Sequence, residues 1–210
     1  MTRKNRITPD PRIAFFDHHA AHWDDDLAEA QEAVRRLTEL RGRLEIRSGQ
    51  DVLEVGCGTG RISGWLADLA RPGRLVAVDF SGKMLAKATA RRLSADFKLL
   101  DICGDNRLEM QFDTILCFHA FPHFRDHLKA LKNMRSMLKP AGQIVILHLA
   151  GSAELNHFHE RLCEPVCHDC VPAADKWPAL LAKAKLRLVS ITDEPGLLLV
   201  RAVNEYASVG

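Results

Sequence analysis

The spacing of hydrophobic residues changes twice along this chain of 210 residues. Apolar residues recur at three- and four-residue steps over residues 12–41, the spacing of an amphipathic helix. Three consecutive aspartates at residues 24–26 interrupt the pattern and predict two helices, with an aspartate as the cap of the second. From residue 51, short β-branched runs alternate with helical segments. Residues 152–172, rich in His, Cys and Pro, break this alternation.

The alternating part of the chain predicts a parallel sheet. Strands are predicted at residues 51–55, 75–78, 97–100, 112–118 and 143–149, and helices at residues 62–70, 83–93 and 126–138. Crossovers of this length are right-handed and place helices on both faces of a parallel sheet. After the insertion, the pattern predicts a helix at 177–185 and an antiparallel hairpin formed by residues 186–191 and 197–203.

Composition and charge exclude several classes of protein. Hydrophobic residues make up 47% of the chain and charged residues 27%, which is ordinary for a globular domain. The formal net charge of +2 is too small for an electrostatic nucleic-acid binder. No run approaches the roughly 18 apolar residues that span a bilayer, and no apolar segment follows the basic N-terminus. We expect a cytoplasmic monomer or homodimer with reduced cysteines and no nucleic-acid or membrane partner.

Three glycines, Gly56, Gly58 and Gly60, separate the first predicted strand from the helix that follows it. Such a turn allows the backbone to approach a ligand closely. A dinucleotide fingerprint would have its third glycine at position 61, where this chain has Arg61. The loop also has no Gly-Lys-Ser/Thr ending, which excludes a P-loop.

Acidic side chains lie at the ends of the neighbouring strands. Asp79 ends the second strand and suits a ribose, because one carboxylate can accept hydrogen bonds from both ribose hydroxyls; a nicotinamide dinucleotide would use the same device. Asp101 follows the third strand and could accept from the amine of adenine. Glu54 adds a third acid in the first strand. Acids this dense would repel a pyrophosphate but suit a sulfonium cation, which favours S-adenosylmethionine as the cofactor.

Four segments carry a family resemblance: V-L-E-V-G-C-G-T-G-R, L-V-A-V-D, F-D-T-I-L and L-K-P-A-G-Q-I-V-I-L. In this order, over residues 51–148, they resemble the class I S-adenosylmethionine-dependent methyltransferases, most closely a small-molecule branch that includes quinone-biosynthesis enzymes. The resemblance implies a Rossmann-like three-layer α/β/α sandwich whose seven-stranded, mostly parallel sheet has an antiparallel last strand. It also implies a cofactor site formed by Gly56, Gly58, Gly60, Asp79, Asp101 and Ile102. We add Glu54 and Phe80 to the candidate cofactor-binding residues.

The same resemblance implies a division of the chain. We expect an N-terminal tail and helical lid over residues 1–45, with Phe16 and Trp23 on the lid, and a methyltransferase domain over residues 46–210. Residues 152–172 are expected to form an insertion that covers the methyl acceptor. The alternative for the N-terminal helix is simple packing on the domain.

Histidines are the candidate catalytic groups. Ligands of open α/β sheets bind at the carboxyl ends of the strands, where His119 and His123 follow the fourth strand and His148 ends the fifth. Imidazoles titrate near neutral pH and suit a general base. We expect His119, His123 and the insertion's His159 to form the catalytic set. For His148, a direct role and a packing role are both open. His127 is expected on a solvated helix face.

Cys163, Cys167 and Cys170 form a cluster in the insertion. Their spacing matches that of radical iron–sulfur enzymes, but a different S-adenosylmethionine site is already present. A thiolate site for zinc or a metalloid, completed by His159 or His168, is the stronger functional alternative. Incidental reduced cysteines are the preferred interpretation, with no metal ligand. The leading hypothesis is therefore a small-molecule methyltransferase, and its rivals are a metal- or metalloid-handling protein and a non-catalytic cofactor-binding protein.

Overall fold

The computed structural model describes residues 10–205. The strands are β1 (Val52–Val55), β2 (Leu75–Asp79), β3 (Asp96–Leu99), β4 (Phe112–Phe118), β5 (Leu138–His148), β6 (Leu186–Glu194) and β7 (Leu197–Asn204). The α-helices are α1 (Pro11–His19), α2 (Leu27–Leu44), α3 (Ser63–Ala70), α4 (Gly82–Ala90), α5 (His127–Ser136), α6 (Ser152–His159) and α7 (Trp177–Lys183). The basic residues before Asp10, predicted to be a tail, lie outside the described range.

All seven strands belong to one sheet, in the order β3-β2-β1-β4-β5-β7-β6. Strands β1 to β5 pair in parallel, whereas β7 is antiparallel to both β5 and β6. This confirms the predicted sheet and its terminal hairpin. The order reverses between β1 and β4, and a crevice opens at such a switch point beyond the carboxyl ends of the strands.

Helices cover both faces of the sheet because successive strand residues point to opposite sides. In β5, Val145 and Leu147 pack in the cluster that contains α2 and α3, whereas Ile144 and Ile146 pack with α5 and α7. These clusters are the core of the three-layer sandwich. No helix within residues 10–205 is long and apolar enough to cross a membrane.

The largest difference from the predicted boundaries lies at the start of β5. Strand β5 begins at Leu138, although the sequence predicted a helix up to that residue and a strand only from Gln143. The pairing of β4 with β5 skips from Leu138 to Gln143, so Pro140 lies in an irregular stretch where its missing N–H removes no regular ladder bond. Within the insertion, residues 152–159 form α6, followed by turns.

Both N-terminal helices begin at capping aspartates. Asp10 accepts a hydrogen bond from the backbone N of Arg12 at the start of α1. Asp26 accepts from the backbone N of Glu29 and starts α2, as the aspartate run predicted. Helix α1 buries Phe16 in a cluster with Met84 and with Val166 of the insertion. The first helix therefore contacts both the sheet domain and the inserted segment.

Candidate active site

A cavity of about 530 Å³ lies at the carboxyl ends of β1, β2 and β4. The glycine loop, the strand ends, α1 and α6 all contribute to its wall. Most of the predicted site residues line it: Glu54, Gly56, Gly58, Asp79, Phe80, Asp101, Ile102, His119, His123 and His159. Gly60 is the exception, and His148, for which packing was the alternative, also lines the cavity. The sheet therefore brings together residues that lie as much as 105 positions apart in sequence.

The glycine loop needs glycine for two different reasons. Gly56 has φ of 75°, and a Cβ there would lie 2.3 Å from the Cβ of Ala120, so a side chain would collide with the segment after β4. Gly60 has φ of 77° and packs near Ala88 of α4. Positive φ values are strained for residues with a Cβ. Gly60 thus shapes the loop from behind, while Gly56 and Gly58 line the cavity.

Asp79 is held by the backbone at the end of β2. Its Oδ2 accepts from the backbone N of Gly58 at 2.8 Å, and its Oδ1 accepts from the backbone N of Ser81 at 2.8 Å. Burial raises the pKa of this carboxyl, and the backbone hydrogen bonds oppose that rise. Each oxygen keeps a further lone pair for a ligand.

Glu54 is a second buried acid beside the cavity. It is 2% exposed, and Ser63 Oγ donates to its Oε2 at 2.6 Å. Desolvation, reinforced by the nearby charge of Asp79, raises the pKa of Glu54 to about 8. Within the described chain, neither Glu54 nor Asp79 has a Lys, Arg or His side chain within 4.0 Å. Two buried acids without a cationic partner fit a ligand that carries positive charge and ribose hydroxyls.

Asp101 follows β3 and is already well supplied with donors. Arg125 Nη1 donates to its Oδ2, and the backbone N of Cys103 donates to its Oδ1 at 2.8 Å. Ile102 beside it is buried and lines the cavity. An adenine amine could still donate to the lone pairs of the Asp101 carboxylate that these two donors leave free. This contact stays a prediction.

His123 is paired with Asp169, a residue that the sequence analysis did not single out. His123 Nδ1 lies 2.7 Å from Asp169 Oδ2, and Arg12 Nε donates to Asp169 Oδ1 at 2.8 Å. The carboxylate is 2% exposed. Although desolvation acts to raise its pKa, hydrogen bonds from His123 and Arg12 hold the pKa of Asp169 below its usual value. An ionised Asp169 therefore fixes the Nδ1–H tautomer and leaves Nε2 of His123 as the proton acceptor.

The other candidate histidines surround this pair. His159 Nδ1 lies 2.9 Å from the carbonyl of Leu155, and its ring meets His123 edge-on with centroids 5.2 Å apart. His119 has φ of 54° and its Nε2 accepts from the backbone N of Leu149 at 3.3 Å. Desolvation lowers the pKa of His119 to about 4, with smaller contributions from Arg36 and His123. His119 and His159 are thus neutral neighbours of the His123–Asp169 pair at pH 7, because desolvation also lowers the pKa of His159.

The expectation for His127 was wrong. Its ring stacks on Phe121 with centroids 4.5 Å apart and is half-buried. Desolvation lowers the pKa of His127 accordingly. The helical period placed this residue on a polar face, but the neighbouring turn at Phe121–His123 covers that face.

The three cysteines of the insertion do not converge. Cys163 and Cys170 are exposed and Cys167 is half-buried. Among residues 10–205, the ligand atoms that do approach within 4.8 Å of one another are those of Glu164, Cys167 and His168, all at or near the surface. His159 is turned to the cavity instead. The expectation that Cys163, Cys167 and Cys170 hold no metal stays a prediction.

Comparison with known proteins agrees with this site. Residues 52–142 match the family model described as a methyltransferase domain. The chain is 29% identical over 197 residues to the methyltransferase GfsG of Streptomyces halstedii, and the matched region covers 87% of this chain and 70% of that protein. It is 27% identical over 135 residues to 27-O-demethylrifamycin SV methyltransferase of Amycolatopsis mediterranei, and that match covers 61% of this chain and 49% of the relative. Residues 52–142 therefore carry a methyltransferase domain, and the chain resembles S-adenosylmethionine-dependent methyltransferases over most of its length.

Other relatives of this methyltransferase extend the comparison. A demethylmenaquinone methyltransferase of Oceanobacillus iheyensis is 24% identical over 135 residues, 59% of this chain and 57% of that one. The solved structure of a DhpI–SAH complex superposes with a TM-score of 0.72 at 22% identity, covering 92% of this chain and 95% of the other. The predicted resemblance to methyltransferases, including quinone-related ones, and the Rossmann-like fold are thereby confirmed.

Proposed function

We propose that this methyltransferase methylates an oxygen of a small, largely apolar acceptor, with His123 as the general base. The observation that carries the proposal is the 2.7 Å contact between His123 Nδ1 and the buried carboxylate of Asp169 at the cavity. A carboxylate on Nδ1 orients the imidazole and stabilises the imidazolium that forms when Nε2 takes a proton. Arg12 on the other oxygen of Asp169 favours the ionised carboxylate.

The choice of oxygen follows from the need for a base. S-adenosylmethionine supplies a methyl group on a sulfonium, whose leaving group is a neutral thioether. The protein must then align the nucleophile, exclude water and remove any proton that has to leave. A hydroxyl nucleophile must lose its proton, whereas a neutral amine attacks through a lone pair that it already has. A carboxylate-supported imidazole therefore fits a hydroxyl acceptor.

The sheet order supports a placement of the cofactor. Along the carboxyl edge, the order β3-β2-β1-β4-β5 places Asp101 first, then Asp79, then Glu54, and the histidines last. We assign adenine to Asp101 and Ile102, the ribose to Asp79 with Phe80 beside it, and the positively charged methionine portion to Glu54. The transferred methyl then faces the His123–Asp169 pair. Gly56, Gly58 and Gly60 allow the loop to lie against the ligand.

The remaining wall of the cavity indicates the kind of acceptor. Its aromatic and aliphatic members include Phe16, Phe118, Phe124, Leu155 and Phe158. These come from α1, α6, the end of β4 and the turn that follows it, so we assign α1 the role of a lid and residues 152–172 the role of an acceptor cover. A cavity of about 530 Å³ must hold both reactants, which favours a small molecule. The similarity to 27-O-demethylrifamycin SV methyltransferase is consistent with transfer to oxygen.

The test is the turnover of two variants on an acceptor identified by methyl transfer from S-adenosylmethionine. His123→Ala should lower kcat by about 10²–10⁴ while S-adenosylhomocysteine affinity changes little, because the base acts on the acceptor and not on the cofactor. Asp169→Asn should lower kcat as well, since it no longer holds the imidazole in the productive tautomer. His157→Ala, an exposed histidine on α6, is the matched control. Full turnover in both site variants would refute the assignment.

A further inference from the structure

His148 is a buried histidine whose ring no group of the protein satisfies. It ends β5, is 1% exposed and lines the cavity. Among the described residues, its Nδ1 and Nε2 are the buried side-chain nitrogens and oxygens that have no hydrogen-bond partner. An unpaired buried polar group destabilises the fold, so a native protein that retains one needs an explanation for it. The position at the cavity indicates a ligand as that explanation.

His119 provides a second observation beside it. The two rings meet edge-on with centroids 5.2 Å apart, at the adjacent ends of β4 and β5. His119 is held at a φ of 54°, which is costly for a residue with a Cβ and is typical of functional sites. Its backbone N donates to the carbonyl of Leu147, and the backbone N of Leu149 donates to its Nε2. These bonds leave Nδ1–H as the donor of this ring.

The chemistry of the two rings defines what they can bind. A neutral imidazole offers one donor and one acceptor, which matches a hydroxyl or carbonyl oxygen. A carboxylate or phosphate would need a cation with free donors, and Arg36, which also lines the cavity, donates to the carbonyls of Leu149 and Gly196. We propose that His119 and His148 form a recognition site for a second oxygen substituent of the acceptor. The acceptor is then an aromatic molecule with at least two oxygens, one methylated and one bound here.

This inference rests on the proposed function, because it divides the cavity between two pairs of residues. His123 with Asp169 removes the proton of the hydroxyl that is methylated. His119 and His148 bind the other oxygen and so determine which acceptor is positioned for transfer. The aromatic side chains Phe118 and Phe16 provide the walls against which a ring would lie.

The experiment compares matched probes on the protein saturated with S-adenosylhomocysteine. Calorimetric titrations use 1-naphthol as the probe with one oxygen, and 1,2- and 1,3-dihydroxynaphthalene as probes with two. At least one dihydroxy probe should bind about tenfold more tightly than 1-naphthol, as expected for one or two added neutral hydrogen bonds. His148→Phe should reduce that ratio to about one without weakening 1-naphthol. His157→Ala should leave the ratio unchanged.

The controls separate this inference from the proposed function. His148→Phe removes the unpaired polar atoms, so its melting temperature should equal or exceed that of the unchanged protein; His148→Leu serves if the larger ring does not fit. If the unchanged protein does not bind S-adenosylhomocysteine, that result counts against the proposed function itself. If the cofactor product binds, equal affinities for one- and two-oxygen probes, binding of neither, or a preference that persists in His148→Phe would each overturn the His119–His148 site.

Discussion

Glu54 carries a proton that the cofactor should displace. Its pKa of about 8 reflects burial without a cationic partner, so the carboxyl is largely protonated at pH 7. A ligand that places positive charge beside it stabilises the carboxylate and lowers that pKa. Binding at pH 7 should therefore release close to one proton from this group. The same raised pKa makes the stability of the free protein depend on pH. Between about pH 4.5 and pH 8 the unfolded chain ionises Glu54 more readily than the folded protein does, so the free energy of unfolding falls as the pH rises through this range.

The proton release can be measured by calorimetry of S-adenosylmethionine binding in buffers of different ionisation enthalpy. The slope of binding enthalpy against buffer enthalpy gives the number of protons released. Glu54→Gln should remove the release while it retains the hydrogen bond with Ser63. The cofactor's own amino group is already mostly protonated at pH 7 before it binds, so the difference between the two proteins reports mainly on Glu54. Identical slopes would contradict the assignment of the charged portion of the cofactor to this acid.

Residues of the cofactor side were predictable because each follows directly from a strand end. Asp79 and Gly56 occupy positions that hydrophobic runs and glycine chemistry mark within a few residues. Asp169 was not, because its partner His123 lies 46 positions earlier and the two meet only through the fold of the insertion. A lone aspartate between His168 and Cys170 carries no periodic signal. His148 was visible in the sequence, but its lack of a partner was not.

At the scale of elements, α1 and the insertion are joined through one ion pair. Arg12 of α1 donates to Asp169, whose side chain is fully buried, while Arg12 itself is 18% exposed. Removal of one partner from a buried pair leaves an uncompensated charge. Arg12→Met should therefore lower the free energy of unfolding by about 3 kcal/mol, the lower end of the range for buried pairs, because Arg12 is partly solvated.

Chemical denaturation of matched variants measures this effect. Arg35→Met removes an arginine whose partners, Glu32 and Glu39, lie with it on the solvent face of α2, and should change stability little. Arg12→Lys keeps the charge and should recover part of the loss. The ion pair raises stability above the unfolded pKa of Asp169, and its contribution is lost as the pH falls through the lowered folded pKa. Equal stability of Arg12→Met and Arg35→Met at pH 7 would show that α1 is not anchored in this way.

Element boundaries were predictable where local signals and packing agree. Asp26 caps α2 as expected because the capping interaction involves only neighbouring residues. The start of β5 was predicted too late, because Leu138 already pairs with Phe112 of β4 before the irregular stretch that contains Pro140. The helix over residues 152–159 was not predicted, because it is short and its two large apolar side chains, Leu155 and Phe158, line the cavity.

At the scale of the whole molecule, the alternation of strands and helices predicted the sheet, and the sheet order then placed the site. Parallel strands joined by right-handed crossovers leave few possible topologies. The glycine loop follows β1 and the histidines follow β4, so the pairing of these two strands at the switch point is enough to place them beside each other. The acceptor side depends instead on α1, α6 and the segment up to Asp169, and the contacts of Asp169 with Arg12 and His123 join residues far apart in sequence.

The most direct test of the account is a crystal structure of the protein with S-adenosylhomocysteine bound. The measured quantity is the distance from the cofactor sulfur to Nε2 of His123. An in-line transfer places the methyl group and one acceptor oxygen between these atoms, so the distance should be within about 8 Å, with the ribose hydroxyls on Asp79. A sulfur directed away from His123, or a ribose without contact to Asp79, would contradict the proposed arrangement of cofactor, base and acceptor.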